Sequence, residues 1–249
     1  MELFTHTFNP NIEIYHYNLT EVDDRVLGKS HWFTKKLQVA EQYGREYSID
    51  NGKKEFKVCV YKPTKPLKLI DINHGVFHLD FISKLNNIYG NLDNIGDQIY
   101  QKLRISSSLG LPSLELMREY GISNDSDYVD RDLHDDIKDN LQFMNNKSRS
   151  SGSIRDNMLF VDFLKEHYSM FDGYISLFNQ PSEFHCGVFS AELCLFNSIE
   201  NTEFIGSINY VITQNGGDYA RIISSKNRYP NLKTRIIETE LNIGYTNKN

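Results

Sequence analysis

The 249-residue sequence contains little of what secreted or membrane proteins need. Its three cysteines, Cys59, Cys186 and Cys194, are odd in number and far apart, which fits a reducing compartment better than a disulfide framework or a zinc site. No apolar run is long enough to cross a bilayer, and the first residues lack the basic and apolar regions of an export signal. We therefore expect a cytoplasmic protein without a membrane partner.

The chain also lacks an excess of basic charge. Its 27 Lys and Arg residues face 33 Asp and Glu residues, for a formal net charge of −6. Proteins that bind nucleic acid through its phosphates need clustered positive charge. The composition therefore favours a protein over a nucleic acid as a macromolecular partner.

The stretch Ser30–Gly44 predicts a short strand that runs directly into a helix. Trp32 and Thr34 lie in the strand, and Ala40 and Tyr43 recur on one face of the helix. Trp32 and Tyr43 would flank a single turn. Two such rings either fill the core or form the walls of a slot for a flat or cationic ring.

Alternation and helical spacing predict the remaining elements. The predicted strands are Asn11–Asn18, Phe56–Tyr61, Leu67–Ile72, Asp172–Phe178 and Ala191–Asn197. The predicted helices are His74–Tyr89, Leu92–Leu103, Pro112–Tyr120 and Ile154–Tyr168. The polar segment Ser123–Ser151 is expected to make few buried apolar contacts.

Two side chains suited to binding or catalysis lie at strand ends. Glu192 opens a predicted apolar strand just after the loop Asn179–Ser190, and a carboxylate in that position usually has a partner or a task. His16 lies at the end of the strand Asn11–Asn18. A single histidine of this kind is more often structural than functional, so both interpretations stay open.

In chain order, these stretches resemble three motifs of the ADP-ribosyltransferase superfamily, in the His-Tyr-Glu branch of diphtheria toxin and the poly(ADP-ribose) polymerases. Ile14–Asn18, IYHYN, resembles the aromatic-His-Gly-Thr/Ser motif, with Tyr17 in place of Gly. Trp32–Thr34, WFT, followed by Tyr43, is similar to the second motif, with Trp32 in place of Tyr. Glu192–Asn197, ELCLFN, resembles the third, a catalytic Glu that opens an apolar strand.

The resemblance implies an α+β fold for one catalytic domain over residues 1–249. Its split mixed β-sheet would have flanking helices and a helical insertion at about 73–150. It also implies NAD as the substrate, with no metal. Glu192 would be the catalytic residue, stabilising the oxocarbenium-like centre formed when the nicotinamide–ribose bond breaks. The residues implied to bind NAD are His16, Tyr17, Trp32, Thr34 and Tyr43.

The implied activity is transfer of ADP-ribose to a macromolecular acceptor, with protein favoured over nucleic acid. An NAD glycohydrolase using the same site, with water as acceptor, is one alternative. An inactive ADP-ribosyltransferase-like binding module is the other. In the family, backbone groups beside the motif His hold the nicotinamide carboxamide, so a bulky Tyr17 is tolerable there only if its side chain points away. We also expect His16, Trp32, Tyr43 and Glu192 to line one cleft between two halves of the sheet.

Overall fold

The computed structural model describes residues 2–18, 25, 29–89, 114–122, 158–177, 190–212 and 219–222. The described strands are β1 (Thr5–Phe8), β2 (Ile14–Asn18), β3 (His31–Thr34), β4 (Glu55–Pro63), β5 (Leu67–Asp71), β6 (Gly173–Ser176), β7 (Glu192–Leu195), β8 (Thr202–Ile212) and β9 (Tyr219–Ile222). The described helices are α1 (Leu37–Asp50), α2 (Gly75–Tyr89), α3 (Leu114–Glu119), α4 (Met158–His167) and α5 (Ser198–Asn201). The predictions for Leu92–Leu103 and Ser123–Ser151 lie outside the described residues.

Within the described residues, the strands form one sheet in the order β1-β5-β6-β7-β3-β2-β4-β8-β9. The strands β5 and β6 run parallel, and the other neighbouring strands pair antiparallel. The expected mixed α+β class is therefore confirmed. Each predicted strand overlaps an observed one, whereas β1, β8 and β9 were not predicted.

The parallel pairing of β5 and β6 accounts for the helices that lie between these two strands in the sequence. Parallel neighbours need a crossover connection rather than a tight hairpin, and both α2 and α4 lie within this one. On one face of the sheet, Phe81 of α2 meets the rings of Phe160 and Phe163 of α4, at 5.6 and 5.5 Å between centroids. The first helix of the predicted insertion thus contributes buried core.

Strand alternation places the rest of the core on both faces. One cluster covers β5, β6 and β7 on the same face as α2 and α4, and includes Ile70, Tyr174 and Cys194. A second cluster lies on the opposite face, where Leu116 of α3 packs with Leu69 and Leu193. A third returns to the first face, under α1, across β2, β4 and β8. The first and third clusters are thus separate groups on a single face.

Among the described strands, β2 and β3 share the shortest pairing in the sheet. These two strands lie between the first and third clusters. A single residue pair, Tyr15 with Thr34, joins the two strands. On either side of this junction the pairing is fuller: β2 follows β4 from Ile14 to Asn18, and β3 follows β7 along its whole length. The two halves of the sheet therefore diverge on either side of one bridge.

Gly173 allows β6 to approach β7 closely, and replacing it should destabilise the fold. A Cβ atom at Gly173 would lie 2.0 Å from the backbone oxygen of Cys194, whereas one at Gly206 of β8 would meet nothing within 4 Å. We expect Gly173→Ala to lower the free energy of unfolding by about 1–3 kcal/mol, as overpacking does. The matched change Gly206→Ala should leave it unchanged or raise it by up to about 1 kcal/mol. Urea denaturation measures both, and equal midpoints for the two variants would contradict the prediction.

Candidate active site

A cavity of about 260 Å³ lies at the junction of β2 and β3. Its wall is formed by side chains from these strands, from α1, and from the start of β7. The lining residues are Tyr15, His16, Tyr17, Trp32, Phe33, Thr34, Ala40, Tyr43, Ala191 and Glu192. All six residues that the resemblance assigned to the site are among them, so the expected meeting of these distant residues in one cleft is confirmed. Their chemical roles stay predictions.

Strand register brings the predicted residues to this cavity. Thr34 lies opposite Glu192 across β3 and β7, and opposite Tyr15 across β2 and β3. Trp32, two residues before Thr34, lies on the same face because side chains alternate along a strand. Helix α1 starts just after β3 and places Ala40 and Tyr43 in the cavity wall. Three stretches distant in sequence thus meet at one point of the sheet.

Glu192 is half-buried and held by a tyrosine that sequence reasoning did not select. The Tyr174 hydroxyl donates to Oε1 of Glu192 at 3.2 Å, and the indole Nε1–H of Trp32 donates to the same hydroxyl at 3.1 Å. Burial raises the pKa of Tyr174 well above its ordinary value, and the charge of Glu192 adds to this. The phenol therefore stays protonated and acts as a donor to the carboxylate.

His16 ties the two halves of the sheet together. Its Nδ1 lies 2.7 Å from the backbone oxygen of Trp32. Because a carbonyl only accepts, Nδ1 must carry the hydrogen, and in the neutral ring Nε2 is then an acceptor. The ring of His31 lies edge-on to that of His16, with centroids 4.0 Å apart. This bond gives His16 a structural role, whatever it does for a ligand.

The aromatic wall differs from the expected pairing of Trp32 with Tyr43. The ring that stacks on Tyr43 is that of Tyr17, with centroids 6.2 Å apart and planes 21° from parallel. Tyr17 also stacks on His16 at 5.2 Å. Trp32 instead turns its indole N–H toward Tyr174. The Tyr17 side chain lines the cavity, so the expectation that it points away from the site is wrong.

Thr34 fixes the turn between β3 and α1. Its hydroxyl accepts the backbone N–H of Lys36 at 3.2 Å and shares a short hydrogen bond with the hydroxyl of Ser190. Ser190 is buried and immediately precedes Ala191 and Glu192 in the chain. On the outer side of the turn, the Lys36 ammonium pairs with the carboxylate of Glu119 in α3 at 2.8 Å. The predicted NAD-binding residue Thr34 therefore also orders the approach to Glu192.

The cavity combines aromatic faces with one negative charge. Among its lining residues within the described part of the chain, Glu192 is the acid, and none is Lys or Arg. The neighbouring thiol of Cys194 is buried, and burial raises its pKa well above the ordinary value, so it stays protonated. Such a wall suits a flat cationic ring, because both π faces and a carboxylate attract positive charge.

Two other kinds of site are absent from the described ranges, from residue 2 to 222 with their gaps. No group of three or more His, Cys, Asp or Glu side chains there could hold a metal ion. No helix among these residues is both long and apolar enough to span a membrane. Comparisons of the chain with protein-family models, with curated proteins and with solved structures found no match.

Removing the His16 ring should weaken the junction between β2 and β3. His16→Ala deletes the hydrogen bond to the Trp32 carbonyl, so we expect the free energy of unfolding to fall by about 1–2 kcal/mol. His16→Gln retains an amide donor and should recover part of the loss. Urea unfolding followed by far-UV circular dichroism measures both changes. Identical midpoints for His16→Ala and the unaltered chain would show that this bond contributes nothing to stability.

Proposed function

We propose that this chain is an NAD-dependent ADP-ribosyltransferase of the His-Tyr-Glu type. The observation that carries the proposal is the meeting of three separate motifs in one cavity. His16 and Tyr17 come from β2, Trp32 and Tyr43 from either side of the turn into α1, and Glu192 from β7. Chance motif matches scattered along a chain have no reason to converge in this way.

The cavity fits the reactive end of NAD. Its volume of about 260 Å³ lies just below the usual range of ligand pockets, about 300 to 1,000 Å³. This size suits a nicotinamide ring with its ribose better than a whole dinucleotide. Tyr43 offers a ring face, and Glu192 offers a negative charge. The nicotinamide of NAD is cationic, so both features favour it over a neutral ring.

In the proposed reaction, Glu192 stabilises the charge that develops on the ribose. The bond between the nicotinamide nitrogen and ribose C1′ breaks, and its electron pair leaves with nicotinamide. Positive charge then spreads over C1′ and the ring oxygen. A nearby carboxylate stabilises this charge more than it stabilises the bound substrate. An acceptor nucleophile attacks C1′ and loses a proton, which completes the transfer.

The narrow junction in the sheet supports the same proposal at the level of the fold. The resemblance implies a split mixed sheet, and within the described residues the two halves share one strand pairing, Tyr15 with Thr34. The cavity lies at that junction. We propose a protein as the acceptor, since the net charge of −6 disfavours binding to a nucleic acid backbone.

A second candidate function is supported by the position of Tyr17. Its ring lines the cavity beside Tyr43, where the family pattern has Gly. An ADP-ribosyltransferase-like module that binds NAD or a partner without turnover would tolerate this ring. An NAD glycohydrolase would use the same residues as the transferase, with water in place of the protein acceptor.

One labelling experiment distinguishes these functions. The purified chain is incubated with NAD that carries one label in the adenylate and another in nicotinamide, with and without a cell extract. We expect nicotinamide release together with adenylate label on protein. Free ADP-ribose as the sole product would establish a glycohydrolase, and label on added RNA or DNA would change the acceptor. Intact NAD at every protein concentration would refute both enzymatic proposals and leave the binding module.

Two substitutions separate chemistry from binding. Glu192→Gln preserves size but removes the negative charge, so we expect kcat to fall by about two to three orders of magnitude with NAD affinity little changed. Tyr43→Ala removes a ring face, so we expect weaker NAD binding and a smaller effect on kcat. Nicotinamide release and titration calorimetry provide the two measurements. Full turnover by Glu192→Gln would exclude Glu192 as the catalytic carboxylate.

A further inference from the structure

We propose that Tyr174 is a positioning residue for Glu192, and that Trp32 holds Tyr174 in turn. The three side chains form one directed chain of hydrogen bonds, from the Trp32 indole to the Tyr174 hydroxyl and from there to Oε1 of Glu192. The kinetic part of this inference rests on the proposed function. The hydrogen-bonded chain itself can be tested without NAD.

The chemistry of the three groups sets the direction of the chain. An indole N–H can only donate, and an ionised carboxylate can only accept. The hydroxyl of Tyr174 therefore accepts from Trp32 and is left to donate to Glu192. Hydrogen bonds in such a series polarise one another and strengthen each bond, most of all when the last acceptor is charged.

The register of three strands produces this arrangement. Tyr174 and Trp32 both lie opposite Cys194, on either side of β7. Glu192 is two residues from Cys194 and therefore on the same face, one row along the sheet. A long aromatic side chain reaches such a diagonal neighbour. Tyr174 can thus contact both the residue across β7 and the carboxylate one row away.

Core filling alone does not account for the hydroxyl of Tyr174. The side chain is fully buried and its ring lies 6.1 Å from that of Phe160, a place that phenylalanine would fill equally well. A buried hydroxyl is costly unless it is hydrogen-bonded. Two of its partners, Trp32 and Glu192, are residues of the cavity wall, and the buried Cys194 thiol is a third neighbour. One oxygen of a freely rotating carboxylate would sample several directions, and the phenol restricts Glu192 to one of them.

The expected kinetic effect is on kcat. Tyr174→Phe removes one oxygen atom, and we expect kcat for NAD cleavage to fall about tenfold, the scale of one hydrogen bond to a charged group, with KM within about twofold. In a Glu192→Gln background the same change should alter kcat less than about twofold, because its effect acts through the carboxylate. An equal loss in both backgrounds, or a loss confined to KM, would overturn the proposal.

Tyr210→Phe is the matched control. The Tyr210 hydroxyl also donates from a fully buried ring to a carboxylate, Oε1 of Glu41, at 2.5 Å. Neither residue lines the cavity. We expect Tyr210→Phe to lower the melting temperature but to leave kcat unchanged at temperatures where both variants are folded. A tenfold loss of kcat in this variant as well would make the effect of Tyr174→Phe a general consequence of destabilisation, contrary to the proposal.

The indole N–H signal of Trp32 tests this series of hydrogen bonds without any substrate. Because the sequence has one tryptophan, a ¹H–¹⁵N spectrum contains a single indole signal. We expect this signal to move in Tyr174→Phe and, through the hydroxyl, in Glu192→Gln, and to stay in place in Tyr210→Phe. A signal unmoved by Tyr174→Phe and Glu192→Gln would refute the hydrogen-bonded series even in an active enzyme. A moved signal in a protein that leaves NAD intact would support the hydrogen-bonded series and refute only the proposed function.

Discussion

The single bridge between Tyr15 and Thr34 is the constraint on which the candidate site depends. Backbone groups of paired strands bond each other, and where two strands diverge those groups need other partners. The His16 ring supplies one of these by donating to the Trp32 carbonyl. The cavity lies at this junction, where β2 and β3 share one residue pair within the described part of the chain.

The junction also accommodates the half-buried charge of Glu192. Away from it, both faces of the sheet are covered by apolar clusters, in which a charge would need a buried partner. At the junction, Glu192 meets the cavity on one side and the Tyr174 hydroxyl on the other. The hydroxyls of Thr34 and Ser190 form a hydrogen bond with each other, and Ser190 lies two residues before Glu192 in the sequence. A carboxylate is tolerated at this point because the local structure gives it hydrogen bonds.

Local sequence patterns were sufficient to predict the elements that carry the site, but not all of their contacts. Alternation and helical spacing around Trp32 and from Glu192 onward predict β3, α1 and β7, since both periods are properties of a short stretch. The strand β1 is four residues long and offers too little alternation to detect. The role of Tyr174 depends on β6 lying beside β7, which is a long-range pairing. Nothing in the sequence of Asp172–Phe178 distinguishes Tyr174 from an ordinary core tyrosine.

The orientation of Tyr17 likewise follows from tertiary packing, and it limits how a ring can bind. The centroids of Tyr17 and Tyr43 are 6.2 Å apart, whereas a third ring between them would need about 7 Å, twice the contact distance of two carbon atoms. A nicotinamide ring therefore cannot enter between these two tyrosines in this arrangement. A nicotinamide bound as proposed would have to use another face of the cavity wall. In the proposed reaction the Glu192 carboxylate would then act more on the charge that develops as the bond breaks than on the bound ring.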